Sequence, residues 1–210
     1  MPAKRTFVYV DGFNLYYRAL KRSPYKWLNL KRMCDLALGD KYEVVCVKYY
    51  TARVSAIVDP DQPRRQQIYL AALRTLPEIK IYYGKFLAHP VRLPLQTPLG
   101  DGTRSAWVMK AEEKGSDVNL ASHLVNDAHL RRFEAAAVVT CDTDLVEPIR
   151  IVAQQLRLPV CLLPPQMDGS RSLKSVASEV RQIGNARLRQ AQFPDAVVAG
   201  NERIRKPAGW

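Results

Sequence analysis

Short apolar, β-rich runs alternate with stretches of helical periodicity along this chain, and that alternation constrains its fold more than any other feature. Residues 6–10, 42–52, 79–86, 135–141 and 159–163 are rich in Val, Ile, Leu, Ala and Tyr and read as buried strands. Between them, residues 13–20, 64–75 and 145–156 read as helices. So does the stretch containing Leu30, Met33, Cys34 and Leu38, which Gly39 closes. Helical periodicity resumes at Ser116, and a last amphipathic helix is predicted over 173–190. Strands separated by helices predict a three-layer α/β/α fold around a mostly parallel sheet of about five strands.

One segment breaks the alternation. Pro90, Pro94 and Pro98 precede Leu99-Gly100-Asp101-Gly102-Thr103, and a short strand over 105–109 follows. This predicts an irregular, hairpin-like insertion over about 87–113. The 210 residues suit one core. Residues 1–194 are therefore expected to form one domain, with 195–210 a basic, mobile tail.

No apolar run reaches the roughly 20 residues that span a bilayer, and the first residues read as a strand and not a signal peptide. The four cysteines form no C-x-x-C pair, which points to buried thiols in a reducing cytoplasm. A cytoplasmic protein with no membrane partner is expected. The net charge of +12 favours a polyanionic partner, nucleic acid being the commonest.

In an open parallel sheet, ligands bind beyond the carboxyl ends of the strands. Asp11-Gly12-Phe13-Asn14 follows the first strand, Asp142-Thr143-Asp144 follows the fourth, and Lys114-Gly115-Ser116-Asp117 opens a helix. Carboxylates gathered at one edge of a basic protein repel one another unless a cation holds them. Each could instead be a turn or cap residue; their convergence on one edge favours a site. The sequence has no G-x-x-x-x-G-K-[ST], no G-x-G-x-x-G after a strand and no G-x-S-x-G elbow. Phe13 stands where an aspartyl-phosphate phosphatase needs its second acid.

These three motifs, in this order, resemble the NYN domain, a branch of the PIN-like nuclease superfamily. The likeness covers residues 6 to about 163, and the end of the last predicted helix also looks like the family's. It implies a PIN-like, metal-dependent nuclease, usually acting on RNA, with Mg²⁺ or Mn²⁺ at the acidic edge. Asp11, Asp117, Asp142 and Asp144 match the family's acidic positions, and Asn14 the polar partner of the first. Thr140 matches a small hydroxyl residue, and Lys114 and Gly115 the turn that presents Asp117.

On this reading, metal-held water hydrolyses a phosphodiester, with hard oxygen ligands suiting Mg²⁺ or Mn²⁺. Lys85, Arg92, Arg104, Lys110 and Lys114 are expected to guide a nucleic-acid strand, with Trp107 stacking on bases. Tyr82 and Tyr83 are assigned to packing. Three rivals stand beside it: an RNA-binding adaptor that does not cut, a nuclease for structured DNA, and a small-molecule phosphohydrolase. Oligomeric state is left open, a homodimer being one option.

Overall fold

The structure is a computed structural model that describes residues 2–56, 59–166 and 170–210. Its strands are β1 (Lys4–Asp11), β2 (Tyr42–Thr51), β3 (Ile79–Tyr83), β4 (Lys85–Pro94), β5 (Ser105–Lys114), β6 (Ala135–Val139), β7 (Val160–Leu162), β8 (Glu179–Val180), β9 (Ala196–Ala199) and β10 (Glu202–Arg205). The α-helices are α1 (Gly12–Leu15), α2 (Leu30–Leu38), α3 (Gln62–Leu73), α4 (Ser116–His129), α5 (Val146–Arg150), α6 (Arg171–Val176) and α7 (Gly184–Gln190). Among the described residues, the central sheet has six strands in the order β3-β2-β1-β6-β7-β8, every pair parallel. The three-layer α/β expectation is met, with one strand more than expected.

Strand alternation divides the interior. Val8 and Val10 of β1 join Trp27, Leu30, Met33, Leu38 and Leu73 in the core on one face of the sheet. Tyr9, between them, points to the other face, where Leu120, Leu124, Leu145 and Ile149 pack. The helix over 30–38 forms as read. Asn29 caps it by accepting from the Arg32 backbone N–H at 2.9 Å, and Gly39 ends it at φ +62°. Among the described residues no helix is long and apolar enough to cross a membrane.

Three expectations are corrected. The irregular insertion is a regular antiparallel hairpin, β4 pairing with β5 from Lys85↔Lys114 to Pro94↔Ser105. Pro90 and Pro94 share strand parity, while the neighbouring Leu95 backbone N–H donates inward to the Arg104 carbonyl at 2.9 Å. The prolines' missing N–H groups therefore fall on the ribbon's free edge, where they cost no ladder bond. The single helix over 173–190 is instead α6, then β8 at the sheet edge, then α7. Leu173, Val176, Val180 and Ile183 mimic helical spacing, but Gly184 at φ +64° and the pairing of β8 with β7 divide the run. The tail expected to be mobile forms the hairpin β9–β10, and the Trp210 ring lies 5.7 Å from that of Tyr69.

Behind the sheet, Lys48 of β2 and Asp127 of α4 form an ion pair, with side chains only 6% and 1% exposed. Tyr9 donates its hydroxyl to the same carboxylate at 2.7 Å, and Arg132 reaches it at 3.0 Å. Burial opposes ionisation of Asp127, but the hydrogen bonds from Lys48, Tyr9 and Arg132 outweigh it and hold its pKa below the ordinary value. Lys48→Met leaves that carboxylate short of its nearest cation and is expected to cost about 3–5 kcal/mol in urea unfolding at pH 7. Adding Asp127→Leu should recover most of that loss; a single variant as stable as wild type would refute the role given to the pair.

Candidate active site at the carboxyl edge of the sheet

Asp11 is the last residue of β1 and the N-cap of α1, and it is buried. One carboxylate oxygen accepts the Asn14 backbone N–H at 2.9 Å, and the other accepts the Thr140 hydroxyl at 3.1 Å. Asn14 in turn accepts the Cys141 backbone N–H at 2.9 Å, so the helix after β1 is tied to the loop after β6. Thr140 also accepts the Asp142 N–H at 3.0 Å, and Asp142 accepts that of Asp144 at 3.0 Å. Two polar side chains thus fix the geometry between adjacent strand ends.

Gly12 is required by space at this junction. A Cβ there would lie 2.5 Å from the Tyr50 carbonyl oxygen and 2.7 Å from the Tyr49 ring. Gly84 admits the crossing of β3 into β4, where a Cβ would meet the Lys114 carbonyl at 2.7 Å. Where β5 returns to the base of the hairpin, Gly115 turns the chain at φ +95°, and Glu113 accepts the Ser116 N–H at 3.1 Å, closing the first turn of α4. That turn presents Asp117.

Ligand oxygens of Asp11, Asp117 and Asp142 all lie within 4.8 Å of one another. Burial, with the charges of Asp117 and Asp142 added, pushes the Asp11 pKa up to about 7, although its hydrogen bonds from Asn14 and Thr140 work against the rise. Asp117 is raised by burial and then by Asp142, Glu113 and Asp144. The donor set is three hard carboxylate oxygens, which fits a hard divalent cation such as Mg²⁺ or Mn²⁺. Asp144 was expected in this set; it is exposed and lies outside the group of three, in the turn whose N-cap is Asp142.

The cleft over these acids is lined by Asp11, Phe13, Asn14, Tyr17, Arg18, Phe86, Glu113, Asp117 and Asp142. Sequence reading missed Phe13, Tyr17, Arg18, Phe86 and Glu113. A signal existed for the first three: with Asn14 they recur at the spacing of one helix face, starting at the site. Lys85, Arg92, Arg104, Trp107, Lys110 and Lys114 all lie on the β4–β5 hairpin, and none lines the cleft. Lys110 and Lys114 are paired with Glu112, Arg92 donates to Ser105 at 2.7 Å, and Trp107 is 71% exposed. Tyr82 packs as expected, stacked on Tyr50 at 5.2 Å.

No family model matches the chain. It is 27% identical, over 98% of its own length and 75% of the relative's, to a Pseudomonas putida (strain DSM 28022 / S16) protein named 6-hydroxy-3-succinoylpyridine 3-monooxygenase HspA. In shape it is similar to a protein of unknown function from Vibrio parahaemolyticus RIMD 2210633, with a TM-score of 0.56 and 17% identity over 87% of this chain and 94% of that one. That second likeness speaks to the fold alone.

The likeness to a monooxygenase overturns the expectation of a metal-dependent nuclease or hydrolase, and with it the ribonuclease and RNA-binding description. The reasoning from carboxylates at a sheet edge failed because such an edge is a scaffold position that serves several chemistries, and fold-level likeness does not choose among them.

The raised pKa of Asp11 gives a stability prediction for metal-free protein. In the fold this carboxyl holds its proton up to about pH 7, against ~4 in the unfolded chain. Ionising it in the fold is therefore unfavourable, and stability falls as pH rises from ~4 to ~7. With EDTA present, Asp11→Asn should lack this fall and exceed wild type above pH 7 by about 2–4 kcal/mol. Parallel urea-unfolding profiles for the two proteins from pH 4 to 8 would refute the assignment.

Proposed function

We propose that this chain is an oxidoreductase that adds an oxygen atom to a small aromatic ring bound in the cleft above Asp11, Asp117 and Asp142. The observation that carries this reading is the likeness to a protein named as a pyridine monooxygenase, which extends over 98% of the chain. The cleft supports it, because aromatic walls meet a polar floor. Phe13 stacks on Tyr17 with ring centroids 6.4 Å apart and 18° between the planes, and Phe86 lies 6.4 Å from Phe13 on the other side. A flat ring fits among such faces, while its oxygen or nitrogen substituents face the acids.

The reaction balances with dioxygen and a two-electron donor such as reduced nicotinamide or reduced flavin. The O–O bond breaks: one oxygen atom is inserted into a ring C–H bond to give C–OH, and the other leaves as water, taking the donor's two electrons and two protons. A hard divalent cation, held by Asp11, Asp117 and Asp142, would neutralise the floor and attract the ring's oxygen substituent. The protein's own work is to position: Asn14 and Thr140 fix the carboxylates, and Phe13 and Phe86 limit the ring to one plane and shield it from water. The motif likeness to the NYN domain fits this picture as a shared scaffold with different chemistry.

The test supplies 6-hydroxy-3-succinoylpyridine and unsubstituted hydroxypyridines under ¹⁸O-labelled dioxygen, with reduced nicotinamide and reduced flavin in separate reactions. The expected product carries one labelled oxygen, and donor oxidation depends on the substrate. Asp117→Asn and Asp142→Asn should each lower turnover by at least about 10- to 100-fold, the loss that altering only the outer-shell partners of a metal ligand brings. Product oxygen drawn from water, or no oxygenation with any donor, overturns the reading. Separately, Mn²⁺ should raise the melting temperature of wild type and not that of Asp11→Asn; equal responses would remove the cation from the site.

A further inference from the structure

Arg18 stands at the mouth of the same cleft without an assigned role. It follows α1 on a widened helical turn, in which the Lys21 N–H donates to the Tyr16 carbonyl five residues back at 2.7 Å. Such π turns recur at functional sites because they re-aim side chains that a regular helix would space differently. Here Phe13, Asn14, Tyr17 and Arg18 all line the cleft. Arg18 is exposed, and among the described residues it forms no ion pair; its one hydrogen bond is a long one, 3.5 Å, to the Gln166 side chain. The other charged groups of the lining, Asp11, Glu113, Asp117 and Asp142, are all acidic.

The charge pattern orients whatever enters. With no cation bound, a ligand carboxylate placed on the floor meets the acidic side chains of Asp117, Asp142 and Glu113 and is repelled. At the mouth it meets the planar guanidinium, which matches a carboxylate with two parallel hydrogen bonds. Tyr17 and Phe13 line the same cleft.

We propose that Arg18 is the specificity-determining residue of the site: it binds the carboxylate of an aromatic-ring substrate at the cleft mouth and so holds the ring over the acids. The proposal rests on the reading of the cleft as a ring-binding site. It assigns the ligand class as a ring with an anionic side chain, the ring pointing inward.

The experiment compares a hydroxypyridine bearing a carboxylate side chain with its primary amide, which keeps the shape and removes the charge. Binding is measured by calorimetry on wild type, Arg18→Ala and Arg18→Lys, with circular dichroism confirming that the variants fold. Wild type should prefer the carboxylate by about tenfold or more, as a charge-assisted pair allows. Arg18→Ala should lose the preference through weaker carboxylate binding with amide binding unchanged, and Arg18→Lys should keep part of it. An equal preference in Arg18→Ala and wild type, or no binding of either compound to wild type, overturns the proposal. Binding is read without turnover. Arg18-dependent binding with no oxygenation would support this inference while the oxidoreductase reading fails, and oxygenation indifferent to Arg18 would do the reverse.

Discussion

β1 is paired along both edges, to β2 and to β6, and its central residues are fully buried. The rest of the molecule is arranged around that constraint. A strand so enclosed can leave the sheet only at its ends, and its carboxyl end is Asp11. The chain first builds outward through β2 and β3, then returns by the hairpin and α4 to place β6 on the other side of β1. That reversal opens a crevice at the end of β1, where the loop after β6 and the first turn of α4 converge. The carboxylates meet there because the topology leaves that space.

The two acidic centres of this fold are handled in opposite ways. Asp127 lies deep, and Lys48, Tyr9 and Arg132 satisfy it so fully that it stays ionised. Asp11 is also buried, but its nearest charged neighbours are other acids, and its two hydrogen bonds only moderate the cost. One carboxylate is supplied with a buried lysine, while the other is left among its like, where ionising it is costly. Arg18 does not relieve it, standing at the mouth of the cleft and outside every ion pair among the described residues.

The β4–β5 hairpin projects from this edge and contributes to the cleft only at its base, through Phe86 and Glu113. Arg92, Arg104, Trp107 and Lys110 lie further out along the ribbon, and Lys110 and Lys114 are engaged by Glu112. Assigning them to the site from sequence rested on charge and on position next to Asp117. Position in the chain does not give position in space when ten rungs of ladder separate the tip from the base.

Much was legible in the sequence. Continuous apolar runs and period-3.6 patterns marked the parallel α/β fold, because strands buried on both faces must be apolar throughout and helices on either side must not. Gly39 marked the end of α2, and three acidic motifs marked the carboxyl edge of the sheet. What the tertiary structure decided is which of those acids meet: Asp11, Asp117 and Asp142, with Asp144 outside the group. It also decided that prolines could sit in a regular ribbon, that a helix-like run was cut by an edge strand, and that Phe86 faces Phe13 across the cleft. The reason is physical. Local pattern fixes backbone state through contacts a few residues apart, whereas a site is made by residues more than a hundred positions apart, as Asp11 and Thr140 are. Their separation is set by how the layers pack.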